Sequence, residues 1–190
     1  MRNFQNLAAF TMPANFRGRS AIYVQLWWLV QATLFRCSPQ FAYRFRAALL
    51  RWFGAEVGVG TVIRPSVTIT YPWKVKIGDY AWIGDDVVLY SLGEIDIGAH
   101  AVVSQRSYLC AADHDYQQAD FPIRAFKVCV EDQAWLATDV YVAPGVTIGR
   151  GAVIGARSSV FKNMPEAMVC MGSPCRPFKP RLSQSISESL

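Results

Sequence analysis

A six-residue spacing of aliphatic residues is the feature of this sequence that most restricts its fold. In "VYVAPGVTIGRGAVIGARSSV", residues 140–160, aliphatic residues stand at Val142, Ile148, Ile154 and Val160. An amphipathic helix repeats its apolar face every 3.6 residues and a half-buried strand every two, so neither element alone produces a step of six. The spacing indicates a unit longer than one strand, repeated along the chain.

The step of six continues over more than one hundred residues. It shifts by two residues after Val75 and again after Ile95, and it pauses over residues 115–129. Glycine or another small residue often follows the aliphatic one, which we attribute to a tight turn that uses the conformational freedom of glycine. Short strands and turns repeated in this way predict a mainly β protein, a parallel β-helix with three hexapeptides per coil and about five coils. The repeat positions are Val57, Ile63, Ile69, Val75, Ile77, Ile83, Leu89, Ile95, Ile97, Val103, Leu109, Val130, Leu136, Val142, Ile148, Ile154 and Val160.

The sequence before the repeat is typical of helices. Residues 1–20 predict an irregular arm and residues 21–36 a helix, and a second helix is expected over residues 39–53, opened by Pro39 and ended by Gly54. We therefore divide the chain into residues 1–54, with the arm and two helices, residues 55–165, the β-helix with a loop at 113–129, and residues 166–190, a C-terminal extension with a flexible tail.

Composition limits the classes of partner. The 190 residues suit one main domain, and 52% apolar against 17% charged residues leave much surface to bury within the chain or against copies of it. The net charge of +5 lies in short clusters rather than in a continuous basic stripe, so we expect no nucleic acid and favour a small phosphorylated ligand. Five cysteines without CxxC spacing, and no apolar signal region at the N-terminus, predict a cytoplasmic protein with reduced thiols.

One apolar segment leaves a membrane contact open. The stretch "AIYVQLWWLVQATLF", residues 21–35, is shorter than the roughly 20 residues that cross a bilayer, and Gln25 and Gln31 interrupt it. A buried helix is one interpretation. Trp27, Trp28 and flanking arginines also suit a helix lying on a membrane surface, which would place the protein at the inner face of the cytoplasmic membrane.

The stretch "VAPGVTIGRGAVIGARSSVFKNMPEAMVCMGSPCRP" resembles the signature of the hexapeptide-repeat acyltransferases. The segments "GRS", "RWFGAEVG" and "SYLCAADHDY" are similar to those of the colanic acid biosynthesis acetyltransferases, which are related to the galactoside and maltose O-acetyltransferases. The resemblance implies a left-handed β-helix and transfer of an acetyl group from acetyl-CoA, without a metal, to a sugar or glycan in exopolysaccharide or cell-surface glycan biosynthesis. It also implies a homotrimer with active sites between subunits.

His114 is the candidate catalytic base. Acetyl transfer to a hydroxyl requires a group that removes the hydroxyl's proton, and the chain has two histidines. His114 lies in "CAADHDYQQADF", where the six-residue spacing gives way to a loop, and the resemblance assigns it the role of base. His100, three positions after an aliphatic corner, is expected to face solvent. Asp113 and Asp115 could orient the imidazole, although neighbours on an extended chain tend to point apart.

The resemblance also implies a donor site and leaves the acceptor site open. Of the acidic residues, we predict Asp85 and Asp113 to contact the acceptor, although the asparagine and aspartate that hold the sugar in galactoside-type enzymes have no secure counterpart at Asp85, Asp86 or Glu94. Two positions depart from the family pattern, because Ala137 replaces a glycine and Phe161 a threonine. The predicted donor residues are Trp135 near the thioester, Ala137, Thr138 and Ala156 along the pantetheine arm, and Lys162, Arg176 and Lys179 near the phosphates.

Three alternative functions are open for a chain with these residues. An N-acetyltransferase acting on an amino-sugar would use the same base and donor. A metal-dependent hydratase of the same architecture, like the γ-type carbonic anhydrases, would need three histidines across subunits, and the spacing of the two present here argues against it. A β-helix that has lost catalysis and serves as a scaffold would retain the fold without turnover.

Overall fold

The computed structural model describes residues 4–182, so residues 183–190, the end of the predicted C-terminal extension and flexible tail, lie outside the described residues. The N-terminal arm contains a short 3₁₀ turn, Leu7–Ala9. Helix α1 (Ala21–Val30) follows and continues as one π-helical turn, Gln31–Phe35, and helix α2 spans Tyr43–Trp52. No helix among the described residues is long and apolar enough to cross a membrane.

Helix α1 is held on the first coil by its buried side. Ser20 caps its N-terminus by accepting a hydrogen bond from the Tyr23 amide. Trp27 is fully buried and donates through Nε1 to the carbonyl of Ile69 over 2.8 Å. The Ile69 amide in turn donates to Gln31 Oε1. These contacts fix the helix against a strand forty residues away.

The second helix begins four residues later than the sequence predicts. Arg46, which is fully buried, donates to the backbone carbonyls of Pro39, Gln40 and Ile63 and to Ser38 Oγ. Burial lowers the pKa of this guanidinium. The Gln40 carbonyl points at the arginine, and the Pro39 carbonyl is shared between Arg46 and the Ala42 amide of a tight turn, so the helical ladder of α2 starts only at Tyr43.

The repeat forms a parallel β-solenoid with three flat faces. Each coil contributes one strand to each face, and the strands of consecutive coils pair in parallel. The strands are β1 (Glu56–Val57), β2 (Val62–Ile63), β3 (Thr68–Ile69), β4 (Val75–Ile77), β5 (Trp82–Ile83), β6 (Val88–Tyr90), β7 (Ile95–Ile97), β8 (Val102–Val103), β9 (Tyr108–Cys110), β10 (Ala112–His114), β11 (Ile123–Ala125), β12 (Val128–Val130), β13 (Trp135–Leu136), β14 (Tyr141–Val142), β15 (Thr147–Ile148), β16 (Val153–Ile154), β17 (Ser159–Val160), β18 (Met168–Gly172) and β19 (Cys175–Pro180).

The strand order gives five complete coils and part of a sixth. Face 1 contains β1, β4, β7, β12 and β15; face 2 contains β2, β5, β8, β13, β16 and β18; and face 3 contains β3, β6, β9, β14 and β17. The sixth coil consists of a bridge from Met164 to Ile148 and of β18, which β19 joins as an antiparallel edge strand. The predicted parallel β-helix of about five coils is confirmed.

The six-residue register is also confirmed. Every repeat position except Val57 exposes at most 3% of its surface, and Val57, in the first coil, is half-buried. The two-residue shifts arise because β4 and β7 each turn two side chains inward, Val75 with Ile77 and Ile95 with Ile97. Face 1 is therefore wider inside than faces 2 and 3 at these coils.

Our explanation of the glycines that follow inward aliphatic residues as turn residues is wrong, because none of them has positive φ. Gly78 and Gly98, which follow inward isoleucines, do not have positive φ; the left-handed residues are Tyr80 and His100, two positions further on. A Cβ on Gly78 would lie 2.5 Å from the Ala99 amide nitrogen of the next coil. Glycine is required there because the neighbouring coil approaches too closely for any side chain.

The interruption of the repeat is a hairpin rather than an open loop. Strands β10 and β11 pair antiparallel and form the two arms of this hairpin. At its base, where the chain leaves the solenoid and returns to it, the Phe126 amide donates a hydrogen bond to the Ala111 carbonyl. Strand β12 begins at Val128, so the solenoid resumes inside the predicted loop of residues 113–129. The hairpin projects from the junction between faces 3 and 1.

Both ends of the solenoid are covered. At the first coil, Arg51 of α2 donates to the carbonyls of Val57 and Gly58 over 2.8 Å each. At the last coil, β19 lies along β18 and carries Pro177 and Pro180.

Candidate active site

His114 ends β10 and is half-buried against the turn of the hairpin. Its ring stacks on the ring of Phe121, with the centroids 4.3 Å apart and the planes 8° from parallel. Nδ1 lies 2.8 Å from the backbone carbonyl oxygen of Phe121. A carbonyl oxygen only accepts hydrogen bonds, so Nδ1 must carry the proton, and the neutral imidazole keeps its lone pair on Nε2. This tautomer suits a general base that acts through Nε2.

The hairpin turn holds the Phe121 carbonyl in place. Phe121 has a φ of 51°, a left-handed conformation that is strained for a bulky residue. The N-terminal arm packs on the same turn: the Asn6 amide donates to the Ala119 carbonyl over 2.6 Å, and the Phe10 ring lies 6.0 Å from the imidazole. The arm and the hairpin together fix the orientation of His114.

The acidic neighbours of His114 bind other groups. Asp113 accepts two hydrogen bonds from Arg124, at 2.8 and 2.9 Å. Asp115 accepts from Gln118 and from the Gln117 amide, and these bonds lower the pKa of its carboxyl group. The imidazole is thus oriented by a backbone carbonyl, and the expectation that adjacent side chains point apart is confirmed.

His100 lies at a different corner of the solenoid. It has a φ of 57° in the turn between faces 1 and 2, and its exposed ring stacks on Tyr80 at 5.2 Å. The expected outward orientation is confirmed. Among residues 4–182, no three His, Cys, Asp or Glu side chains are grouped so that they could hold a metal ion.

The predicted pantetheine residues lie together along one edge of the solenoid. Trp135 is in β13 on face 2, is 44% exposed, and donates through Nε1 to Ser104 Oγ over 3.0 Å. Ala137 and Thr138 form the following corner between faces 2 and 3. Ala156 lies at the same corner one coil further, where the Arg157 amide donates to the Thr138 carbonyl. Small side chains therefore border an exposed indole.

The predicted phosphate-binding cations lie near the last coils on two elements. Lys162 follows β17 at the end of face 3, whereas Arg176 and Lys179 are in β19, next to face 2. All three are exposed. Residues 166–182 thus extend face 2 beyond the pantetheine edge.

The two predicted acceptor residues are in separate regions of the chain. Asp85 lies at the corner between faces 2 and 3 in the second coil and accepts from Arg64 Nε at 3.0 Å. Arg64 also donates to the Tyr43 hydroxyl, and both line a groove of about 420 Å³ across face 2 that Trp82 borders. Asp113 is on the hairpin beyond face 3, so one chain does not place the two carboxylates in a common cluster.

The sequence reasoning missed a row of aromatic rings on face 3. Tyr90, Tyr108, Tyr141 and Phe161 lie in successive coils with ring centroids 6.0, 6.2 and 5.8 Å apart. Burial raises the pKa of Tyr108 and of Tyr141 to about 12, so these phenols are neutral. The row gives Phe161 a packing role at a position where the family pattern has threonine. The sequence does contain a pattern that predicts this row. Tyr108 and Tyr141 each precede an inward repeat residue, and because successive side chains of a strand point to opposite faces, both rings must face outward.

Comparison with known proteins finds close relatives but no matching protein-family model. The chain is 62% identical over 170 residues to the "putative colanic acid biosynthesis acetyltransferase WcaF" of Escherichia coli K12, covering 90% of this chain and 93% of the relative. A maltose O-acetyltransferase from Clostridium difficile 630 is 26% identical, with a TM-score of 0.76 over 85% of this chain and 89% of that one. A hexapeptide-repeat acetyltransferase from Vibrio cholerae, solved with acetyl-CoA, has a TM-score of 0.78 at 22% identity, over 87% and 92% of the two chains.

Proposed function

The chain belongs to the hexapeptide-repeat acetyltransferases, and from this membership we propose that it transfers the acetyl group of acetyl-CoA to a sugar hydroxyl. We propose further that the acceptor belongs to an exopolysaccharide of the colanic acid type or to another cell-surface glycan. The relative that shares 62% of its residues carries colanic acid biosynthesis in its name, which supports this acceptor class.

The observation that carries the proposal is the fixed tautomer of His114. With Nδ1 bound to the Phe121 carbonyl, Nε2 is free to accept the proton of a sugar hydroxyl. As the proton leaves, the hydroxyl oxygen attacks the thioester carbonyl and the C–S bond breaks. The imidazolium then gives its proton to the departing thiolate, so that the products are an acetyl ester and free coenzyme A.

The donor would lie along the edge between faces 2 and 3. The exposed indole of Trp135 offers an apolar contact near the thioester, and Ala137, Thr138 and Ala156 leave room for the pantetheine arm to approach the backbone. The cations Lys162, Arg176 and Lys179 lie in the same direction along the solenoid and would supply charge-assisted bonds to the phosphates.

A homotrimer would complete the site. The outward residues of face 2 form an apolar strip, of which Trp82 exposes 56% and Trp135 44%, and such a strip favours association between copies. A neighbour that placed its hairpin over this strip would bring His114 to the donor edge. We expect light scattering to give three chains per particle; an active monomer would contradict this arrangement.

Asp85 and Asp113 remain proposed acceptor contacts. A trimer would allow Asp85 of one subunit to approach Asp113 on the hairpin of the next, although the ion pairs with Arg64 and Arg124 already engage both carboxylates. We place the reaction in the cytoplasm. All five cysteines lie within the described residues and are free, which agrees with a reducing compartment.

The test compares two histidine variants against a panel of acceptors. His114→Ala should lower turnover by about 10²- to 10⁴-fold, the usual contribution of a general base, and leave acetyl-CoA affinity nearly unchanged. His100→Ala is the matched control and should retain activity. Equal losses in both variants, or a loss at His114 seen only as weaker acetyl-CoA binding, would refute the assigned role.

The acceptor panel also tests the reaction class. It should contain sugars, nucleotide sugars and amino-sugars, with the product of each treated with mild alkali. An ester loses its acetyl group under these conditions, whereas an amide keeps it. An alkali-stable product made only from amino-sugars would replace our proposal by N-acetylation, and binding of acetyl-CoA without any turnover would indicate a scaffold.

A further inference from the structure

Helix α1 presents an apolar surface on the side that the solenoid does not cover. A helix that is apolar on all sides is normally buried on all sides, yet only Val24 and Trp27 of α1 are buried. Ile22 is 83% exposed and Leu29 is 62% exposed. The uncovered side therefore needs another partner.

Helix α2 and Phe41, two residues before it, add a second exposed apolar row beside the first. Phe41, Phe45 and Trp52, spaced four and seven residues apart, expose 81%, 44% and 81% of their surfaces. An apolar cleft of about 300 Å³ separates the two helices, and Leu26 and Trp52 are among the residues that line it. We call this combined surface of α1 and α2 the helical face.

The charge of this part of the chain is entirely positive. Residues 1–55 contain seven arginines and no lysine, aspartate or glutamate, whereas the remaining residues carry 12 cations and 14 anions. Arg19, Arg36 and Arg44, which lie next to or within the two helices, are exposed. The total charge of +5 is thus divided into +7 on the N-terminal segment and −2 on the rest.

We propose that the helical face docks on a membrane surface containing anionic phospholipid. Exposed tryptophan and leucine side chains would enter the boundary between headgroups and acyl chains, and the arginines would contact lipid phosphates. Helix α1 with its π-helical turn, Ala21–Phe35, is about 22 Å long, shorter than the roughly 30 Å of a hydrocarbon core, so it lies in the plane of the membrane.

A second copy of the chain is the less suitable occupant. A symmetric contact through the helical face would bring two acid-free, arginine-rich segments together, and like charges repel. A phospholipid surface supplies the negative charge that the segment itself lacks. On the proposed function, docking would also give the active site access to a lipid-linked glycan.

The experiment measures vesicle binding without donor or acceptor, so its result does not depend on the proposed reaction. The full chain is floated with vesicles of phosphatidylethanolamine and phosphatidylglycerol, and separately with vesicles of phosphatidylcholine alone. The wild type should float with the first and remain behind with the second. Added salt should weaken the binding because it screens the arginines.

Matched variants separate the apolar and the charged contributions. Ile22→Gln with Leu29→Gln should weaken vesicle binding by about tenfold or more, whereas Leu182→Gln, an exposed leucine outside the helices, should not change it. Arg36→Glu with Arg44→Glu should weaken binding at least as much, since each cation near an anionic surface contributes about 1 kcal/mol, about fivefold. Arg150→Glu with Arg157→Glu, two exposed arginines of the solenoid, makes the same change in total charge and is the control.

Three results would overturn the proposal. The first is failure of the wild type to bind anionic vesicles, and the second is equal binding by the wild type and the helical-face variants. The third is a change in the number of chains per particle in the variants with vesicle binding unaltered, which would identify the helical face as a subunit contact. Melting temperatures of all variants verify that each is folded.

Discussion

Replacing Gly78 by alanine should destabilise the solenoid, although a single methyl group is added at a surface turn. Gly78 follows the inward Ile77 and does not have positive φ, so alanine meets no conformational obstacle there. The new Cβ would instead lie 2.5 Å from the Ala99 nitrogen, 2.7 Å from the Gly98 carbonyl carbon and 2.9 Å from the Ala99 Cα. All three are backbone atoms, which cannot rotate away.

The distances set the size of the effect. Ordinary contact begins near 3.4 Å, so the two coils must separate locally by about 0.9 Å. The bond from the Gly78 amide to the Ile97 carbonyl, now 2.7 Å, would exceed hydrogen-bonding range, and the neighbouring bond from His100 to Asp79 would weaken. Overpacking costs about 1–3 kcal/mol and each lost bond about 1, against a gain of about 0.5 from the stiffer unfolded chain. We expect a net loss of about 2–5 kcal/mol.

Thermal and urea unfolding would measure this loss. For a chain of this size, it corresponds to a fall in Tm of roughly 5–20 °C. Gly155→Ala is the matched control, because Gly155 also follows an inward isoleucine but its Cβ would meet no atom closer than the Met171 Cβ, at 3.0 Å, and no backbone atom closer than the Cys170 carbonyl oxygen, at 3.5 Å. That variant should stay within about 1 kcal/mol of the wild type. Equal stability of the two variants would refute close approach as the reason for glycine at these corners.

Three further changes test the core, the donor edge and a charged corner. Ile154→Asp places an unpaired carboxylate in a fully buried column at a cost of several kcal/mol, so we expect no soluble, cooperatively melting protein, and recovery of one would show that the register is wrong. Trp135→Ala should weaken acetyl-CoA binding by about tenfold in calorimetric titration, a loss of the size expected for one apolar contact, while Trp52→Ala, an exposed tryptophan of α2, should not. Arg106 donates two hydrogen bonds to Asp139, and these bonds lower the pKa of the Asp139 carboxyl group in the folded protein. The pair therefore stabilises the fold fully above the pKa that this carboxyl has in the unfolded chain, and the stabilisation is lost as the pH falls through its pKa in the folded protein. Arg106→Ala should raise the pKa of Asp139 in an NMR titration, and an unchanged value would contradict the pairing.

The solenoid could be predicted from sequence because one inward residue per hexapeptide decides it. Sixteen of the seventeen repeat positions are almost fully buried, and the break in their spacing correctly located the excursion that carries His114. The reason for the glycines could not be read in the same way. Gly78 contacts Ala99, twenty-one residues away, and a spacing of six does not show which backbone atoms meet across coils.

The orientation of the His114 ring could not be predicted from the sequence for a related reason. The sequence showed two acidic neighbours, whereas the group that fixes the imidazole is the carbonyl of Phe121, and its position depends on a left-handed φ at a bulky residue. The start of α2 was missed because the Gln40 carbonyl binds the buried Arg46 and the Pro39 carbonyl is shared between Arg46 and a turn to the Ala42 amide. Both errors come from backbone carbonyls, which every residue carries and no sequence pattern distinguishes.

The covered ends of the solenoid determine that the protein remains a particle of finite length. A stack of coils has open hydrogen-bonding edges above and below, and two such edges can join end to end into a growing filament. At one end Arg51 occupies the carbonyls of Val57 and Gly58. At the other, the edge strand β19 contains Pro177 and Pro180, which have no amide hydrogen to donate, and the cations Arg176 and Lys179. The residues proposed to hold the donor's phosphates would therefore also hinder end-to-end growth along face 2, so a truncation before β18 would risk fibrous aggregation as well as loss of coenzyme affinity.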